Sequence, residues 1–444
     1  MLTTLSDILG AANDLLWGWF MIIVLMLTHL FLTIRTGFIQ RYLGKAIKLT
    51  FKKSDKNTPG DISHFSSLMI ALSATIGVGN IVGVATAISL GGPGAVFWCW
   101  LTGIFGIATK YSEAVLALKY RVVNKNGTYA GGPMYALEKG VKSKFLAVAF
   151  SVLTVFASFG IGNMTQSNSL ADAVNYSLGI PLWAIGLATS LLVGIVIIGG
   201  VKSIASVCNK LIPFMVIMYI AGCLALLGYN FEFIMPALSL IIKSAFSAKA
   251  LCSGLLGGSI IMAMRYGIAR GLFSNESGMG SAPIAAAAAK TKVPAEQGLV
   301  SMTGTFWDTV VICALTGITL VSSILKSPES YTGLAGVKIT YQAFGAIPFG
   351  HYFLMLSLVF VTFSTLLGWS YYGERALEYL SGGKGIMIYR LMWIIVAYIG
   401  ATTSLNIVWD FSDFANALMV IPNVISLIVL HKIIRQETVG YLKR

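Results

Sequence analysis

Long apolar runs, each closed by a short polar or basic stretch, dominate this chain. A helix needs about 20 predominantly apolar residues to cross the hydrocarbon core of a bilayer. Eleven segments reach that length, at about 15–35, 64–90, 95–118, 145–175, 181–200, 205–229, 254–289, 297–323, 349–379, 387–403 and 407–434. The fourth, seventh and ninth are long for a straight crossing and are expected to tilt, break or run past the membrane. The pattern predicts an all-α integral membrane protein of about eleven helices. The first run is long enough to span by itself and does not read as a cleavable signal. Between the sixth and seventh runs, FIMPALSLIIKSAF reads as a short amphipathic helix on the outer face.

Two runs are interrupted. SATIGVGNIVG (Ser73 to Gly83) sets Gly77, Gly79 and Gly83 into an apolar helix, and GLFSNESGMGSAP (Gly271 to Pro283) sets Gly278 and Gly280 among Ser274, Asn275, Glu276 and Ser277. Backbone freed from a helix at bilayer depth costs several kcal/mol per group unless it is buried in protein or lines a cavity. Close helix packing is the alternative reading of the first glycine cluster, and a break in the helix is the favoured one. Close packing does not account for the second, because packing has no need of Asn, Glu and three serines. The interruptions lie five segments apart, an odd number, so two equivalent halves enter the membrane from opposite sides. That is the logic of an inverted repeat with its binding site where the broken helices cross. The expected organisation is an N-terminal helix and basic loop over 1–60, a first five-helix repeat over 61–229, an extracellular connection over 230–253, a second five-helix repeat over 254–434 and a tail over 435–444. Freed N–H groups suit a carboxylate, and freed carbonyls suit an ammonium or Na⁺.

Composition supports this picture. The chain is 56% hydrophobic and 11% charged, with 47 glycines, whereas soluble domains are about a quarter charged. A net charge of +14 would point to nucleic acid on a soluble protein. Here the basic residues sort by loop, so no nucleic-acid partner is expected. With the N-terminus outside and the C-terminus cytoplasmic, 24 Lys and Arg fall inside and only Lys243, Lys249, Lys326 and Lys338 outside. That asymmetry sets the orientation in a plasma membrane. Lys110, Arg265 and Arg270 sit within helices. The five cysteines (Cys99, Cys208, Cys223, Cys252, Cys313) have no metal-site spacing and read as small buried hydrophobes. The histidines are isolated. GTYAGGPMY lacks the GK[ST] ending of a phosphate loop and reads as an ordered inner loop. With no nucleophile–base set and no filter-like stretch, a transporter fits better than an enzyme or a channel.

The runs ALSATIGVGNIVGVATAI, GPGAVFWCWLTGIFGIATKYSEAVLALKYR, GGPMYALEKG and GLFSNESGMGSAPIAAAAAKT resemble the alanine or glycine:cation symporters over nearly the whole chain. That family belongs to the superfamily with the leucine-transporter fold of five plus five inverted helices, preceded here by one extra helix. The resemblance implies Na⁺-coupled uptake of alanine or glycine, with H⁺ in some relatives and serine as another small substrate. It places substrate binding at Thr75, Gly77, Gly79, Gln166, Phe273, Ser274, Asn275, Gly278, Met279, Thr365 and Trp369. Amides between Thr75 and Asn80 would take the substrate carboxylate, Gln166 would be its polar partner, and Phe273, Met279 and Trp369 would close a small side-chain pocket. It places Na⁺ at Asn80 and at a second site built from Ser364, Thr365 and the carbonyls of Ser73, Ile76 and Val361. The fold often adds an amide from the seventh core helix. This chain has Asp308 there, which leaves one or two ions open. A monomer is expected. Arg265, Arg270, Glu276 and Asp308 are ionisable at membrane depth. An ion pair of Arg270 with Glu276 or Asp308 is the expected arrangement for the arginines, and Lys110 with Glu113 reads as a gate or surface pair.

Overall fold

The structure, a computed structural model, describes residues 8, 10–13, 15–52, 57–124, 127–246, 260–403 and 406–443. Lys53, Lys56, Lys125, Lys249, Cys252, Arg444 and the expected start of the seventh span at 254–259 lie outside the described residues.

Helix α1 (Met21–Arg35) is followed by the two arms of a broken helix, α2 (His64–Thr75) and α3 (Gly79–Gly91). Then come α4 (Gly94–Lys119), α5 (Lys144–Leu178), α6 (Leu182–Ile198), α7 (Gly200–Tyr229), the short α8 (Ile234–Ala245) and α9 (Ile260–Asn275). The chain ends with α10 (Pro294–Lys326), α11 (Gly350–Ser381), α12 (Ile386–Thr402), α13 (Asn406–Val429) and α14 (His431–Leu442). Among the described residues, five helices are long and apolar enough to cross a membrane, or up to seven when each bent pair is one span. Strand, among the described residues, is confined to a two-rung antiparallel ladder, Val122–Val123 against Tyr129–Ala130, in the loop after α4. A short helix follows the sixth run, α8, with Ala237, Ile241 and Ala245 buried on one face.

The outer surface is apolar where a soluble protein would be polar. Ile195, Ile217 and Ile395 are 73%, 68% and 58% exposed, which is stable only when the surrounding solvent is lipid. Inside, Trp369, Trp393, Tyr371 and Tyr372 fill the core.

Each break has a local cause. Ser63 caps α2 by accepting from Ser66 N–H. The helix stops at Thr75 because Ile76 turns extended (φ −75°, ψ 94°), and α3 resumes at an angle of 51°. After α9, Glu276, Gly278 and Gly280 all take positive φ (54°, 94° and 84°). A side chain at 278 would be strained and would also run into Cδ2 of Leu25 on α1. Pro283 then opens a single helical turn, Pro283–Ala286. The π-helical stretches Gly79–Gly83, Gly160–Met164 and Phe306–Cys313 interrupt α3, α5 and α10. Such bulges concentrate at functional sites, and here the first and the third meet beside the crossing of the two breaks.

Candidate ion and substrate site

The broken helices touch at Gly79, where a Cβ would stand 3.4 Å from both the Phe273 ring and Ser274 Cα. A Cβ there would lie in van der Waals contact with both, so the two helices pack closely at this glycine. Next to the contact, Asn80 folds back so that its Oδ1 accepts from Gly77 N–H (2.9 Å). Its Nδ2 donates to Asp308 Oδ1 (2.7 Å). Ser274 donates to Asp308 Oδ2 (3.0 Å), as does Thr309 (2.6 Å). A fully buried carboxylate on the π-helical stretch of α10 thus joins one arm of each broken helix. All three donors are neutral, and the expected ion pair is not formed. Among the described residues Arg270 bonds neither Asp308 nor Glu276; its guanidinium lies over the Phe273 ring, 5.9 Å from the centroid. Glu276 instead accepts from Ser281 Oγ (2.5 Å) and Trp369 Nε1 (3.1 Å).

A second group of oxygens gathers between α2 and α11. Ser364 Oγ lies 3.4 Å from the Ser73 carbonyl and 2.9 Å from that of Val361. Thr365 Oγ1 lies 2.9 Å from the same Val361 carbonyl and 2.9 Å from where a Cβ on Gly77 would sit. Hydroxyls that bond back to their own helix are common in membrane helices. Contact across to the end of α2 is not. Ile76, extended, turns its carbonyl out of the helical ladder at this point. Hydroxyl and carbonyl oxygens are the donors a hard cation prefers.

Gln166 sits beside Gly77, its Oε1 3.9 Å from the Gly77 Cβ position. Its Nε2 is spent on the Ile161 carbonyl (3.0 Å), and Oε1 has no protein partner among the described residues. Oε1 is an acceptor, so it suits an ammonium; the expected carboxylate role requires the amide to turn over and leave Ile161. Thr75 bonds back to Ala71 (3.2 Å). Met279 and Trp369 are buried, and Phe273 is half-buried. Asn275 and Gly278 lie on the far side of the break: Asn275 Nδ2 reaches Thr102 on α4 (3.5 Å), and Gly278 faces Leu25 and His29 of α1.

Lys110 and Glu113, expected as a gate or surface pair, are buried and so not at the surface, and among the described residues they are not ion-paired with each other. Glu113 Oε1 accepts from the N–H groups of Gly278 and Gly280 (3.0 Å each) and from Asn423 Nδ2 (2.7 Å). It therefore holds the unwound segment from behind. A carboxylate in an otherwise apolar helix face was the available clue.

A hollow opens at one face of the bundle, next to the first break. It occupies about 440 Å³, reaches Val78 and is lined also by Asp172, Tyr176, Lys338, Tyr341 and His351. The opposite face is sealed. There Ile62 pairs with Ala289 in a parallel bridge. Arg121 Nη1 donates to the Ala287 and Ala289 carbonyls (3.1 and 2.9 Å), and its Nη2 donates to those of Pro59 and Thr291 (3.2 and 2.6 Å).

Two broken helices crossing at buried oxygen clusters, with a hollow at one face and a latch at the other, are the architecture of a multi-pass membrane transporter. The chain belongs to the sodium:alanine symporter family, whose profile it matches over residues 2–444. It is 49% identical to the sodium/alanine symporter AgcS of Methanococcus maripaludis, over 98% of this chain and 97% of that one. It is 36% identical to the probable sodium/glutamine symporter GlnT of Bacillus subtilis (99% and 91% covered). It is 34% identical to the putative sodium/proton-dependent alanine carrier protein YrbD of the same organism (96% and 90%). Among solved structures it resembles MhsT in complex with L-phenylalanine, with a TM-score of 0.59 at 14% identity over 84% of this chain and 89% of that one. That likeness carries the leucine-transporter fold.

Proposed function

We propose that the protein is a secondary transporter that carries alanine or glycine into the cell together with Na⁺ by alternating access between two five-helix halves, 61–229 and 254–434. The observation that carries this reading is the pair of oxygen clusters at the crossing of the breaks, one with a buried carboxylate and one of hydroxyls and carbonyls. In this reading Na⁺ is held at Asn80, Ser274 and Asp308 and again at Ser364, Thr365, Ser73, Ile76 and Val361. The substrate carboxylate lies on the amides of Gly77 and Gly79, with Phe273, Met279 and Trp369 limiting side-chain size. The relatives named for sodium with alanine support the choice of ion and substrate. The relative named for both sodium and protons makes H⁺ the second candidate ion. The protein acts as a monomer in the plasma membrane.

Thr365→Val keeps the shape and removes one oxygen. Losing one such polar contact is worth about 1 kcal/mol, so the Na⁺ concentration for half-maximal alanine uptake should rise about fivefold. An unchanged Na⁺ dependence places the ion elsewhere.

The basic asymmetry of the loops supports an outside N-terminus and a cytoplasmic C-terminus. With the native cysteines replaced, an impermeant thiol reagent applied to intact cells should label Glu329→Cys and spare Lys139→Cys. The reverse pattern contradicts the orientation and the direction of transport with it.

A further inference from the structure

Where the end of α1 meets α14, the structure holds a basic hollow that the transport site does not use. It occupies about 430 Å³ between the end of α1, the turn after it and α14, and Arg35, Arg41, Tyr42, Arg435 and Lys443 line it. Lys432 borders a second hollow that shares Arg35 and Arg435. Among the described residues, no acid lines either one. The single acid of α14, Glu437, is held by Lys119 at 2.7 Å. Arg35 Nε is buried and has no protein acceptor among the described residues.

The cradle is built, not a loose basic tail. Helix α14 turns 60° from α13 and crosses the end of the bundle. Tyr111 Oη to Thr438 Oγ1 (3.0 Å) fixes it to α4, and the Phe31 and His431 rings, 5.3 Å apart, fix it to α1. Beside the cations, Ile34, Phe38 and Val439 are 66%, 59% and 39% exposed. Loop cations by themselves express only the orientation rule of membrane proteins. Here two guanidinium groups, one from α1 and one from α14, converge on one hollow, next to exposed apolar side chains.

We propose that this hollow binds the phosphate of an anionic phospholipid headgroup, with Arg35 and Arg435 as its two forks and the acyl chains along Ile34, Phe38 and Val439. Guanidinium pairs phosphate oxygens bidentately, and basic pockets at the membrane interface attract anionic headgroups. Free phosphate shares the headgroup chemistry, but the apolar apron has no use for it. The inference does not depend on which substrate or ion is carried.

The test uses the purified full chain in nanodiscs of phosphatidylethanolamine with a minor share of phosphatidylglycerol, with lipid retention read by native mass spectrometry after detergent extraction. The parent should retain phosphatidylglycerol selectively. Each charge removed should lower retention about fivefold, so Arg35→Gln with Arg435→Gln should lose it, while Lys139→Gln with Lys142→Gln should not. Excess inorganic phosphate should leave the lipid in place. Should the double variant fail to fold, Arg435→Gln, on an exposed position, should still reduce retention about fivefold. It should also remove the rise in Tm that added phosphatidylglycerol gives the parent. Equal retention of both lipids, equal retention by the arginine variants, or displacement by inorganic phosphate overturns the proposal.

Discussion

Asp308→Asn should leave the protein folded and raise the Na⁺ concentration for half-maximal alanine uptake by about a hundredfold or more. The carboxylate is fully buried, and its oxygens accept from Asn80, Ser274 and Thr309 at 2.7, 3.0 and 2.6 Å. None of those donors is charged, so the site is short of one positive charge that a bound cation would supply. Losing one member of a buried charge pair costs about 3–5 kcal/mol, which is at least a hundredfold in affinity. Asparagine keeps the volume and removes the charge. Were Asp308 only a hub tying α10 to the broken helices, the substitution would lower Tm and expression while Na⁺ half-saturation stayed near the parent value. Flux assays with Na⁺ titration on purified, Tm-matched protein separate the two outcomes.

Arg121→Gln should release the sealed face. One guanidinium spans four carbonyls that belong to the lead-in of α2 and to the segment after the Pro283 turn, so opening that face has to break all four contacts. Hydrogen bonds to a charged group contribute about 1.5–3 kcal/mol each. Even a net bias equal to one such bond moves the balance between open and sealed states at least tenfold. Net uptake should fall about tenfold or more. Ser67, whose hydroxyl donates to the Ala285 carbonyl across the sealed interface (3.1 Å), provides the readout: Ser67→Cys should be inert to thiol reagents in the parent background and reactive with Arg121→Gln. Arg121→Lys, with one ammonium in place of the fork, should recover only part of the sealing. A thiol introduced by Ser67→Cys that stays inert while uptake falls would remove Arg121 from the latch.

Much of this site was readable before the structure. Glycine and serine at bilayer depth marked both breaks, because free backbone there is too costly to be incidental. Ser364 and Thr365 came from the family resemblance, and the structure brings Ser364 to the end of α2. Other features depended on facts that periodicity does not carry. Asp308 was set where the fold often supplies an amide, but its partners Asn80 and Ser274 come from the two breaks and follow from no pattern within its own helix. Arg270 was expected to neutralise a buried acid, but it lies over Phe273 while each acid is satisfied by neutral donors. Lys110 and Glu113 were placed near a helix end as a gate or surface pair. Their burial comes from the unwound segment and from α13, which packs Asn423 on Glu113, and no local pattern in α4 announces partners that far along the chain. The basic cradle likewise forms only when α14 folds back on α1.

Labelled alanine uptake into proteoliposomes, with and without an inward Na⁺ gradient, tests the central claim most directly. Uptake should saturate, concentrate alanine only while the Na⁺ gradient lasts, and collapse when an ionophore dissipates it. Concentrative uptake that ignores Na⁺ and follows an imposed proton gradient, or alanine flux that never saturates, would contradict sodium-coupled symport.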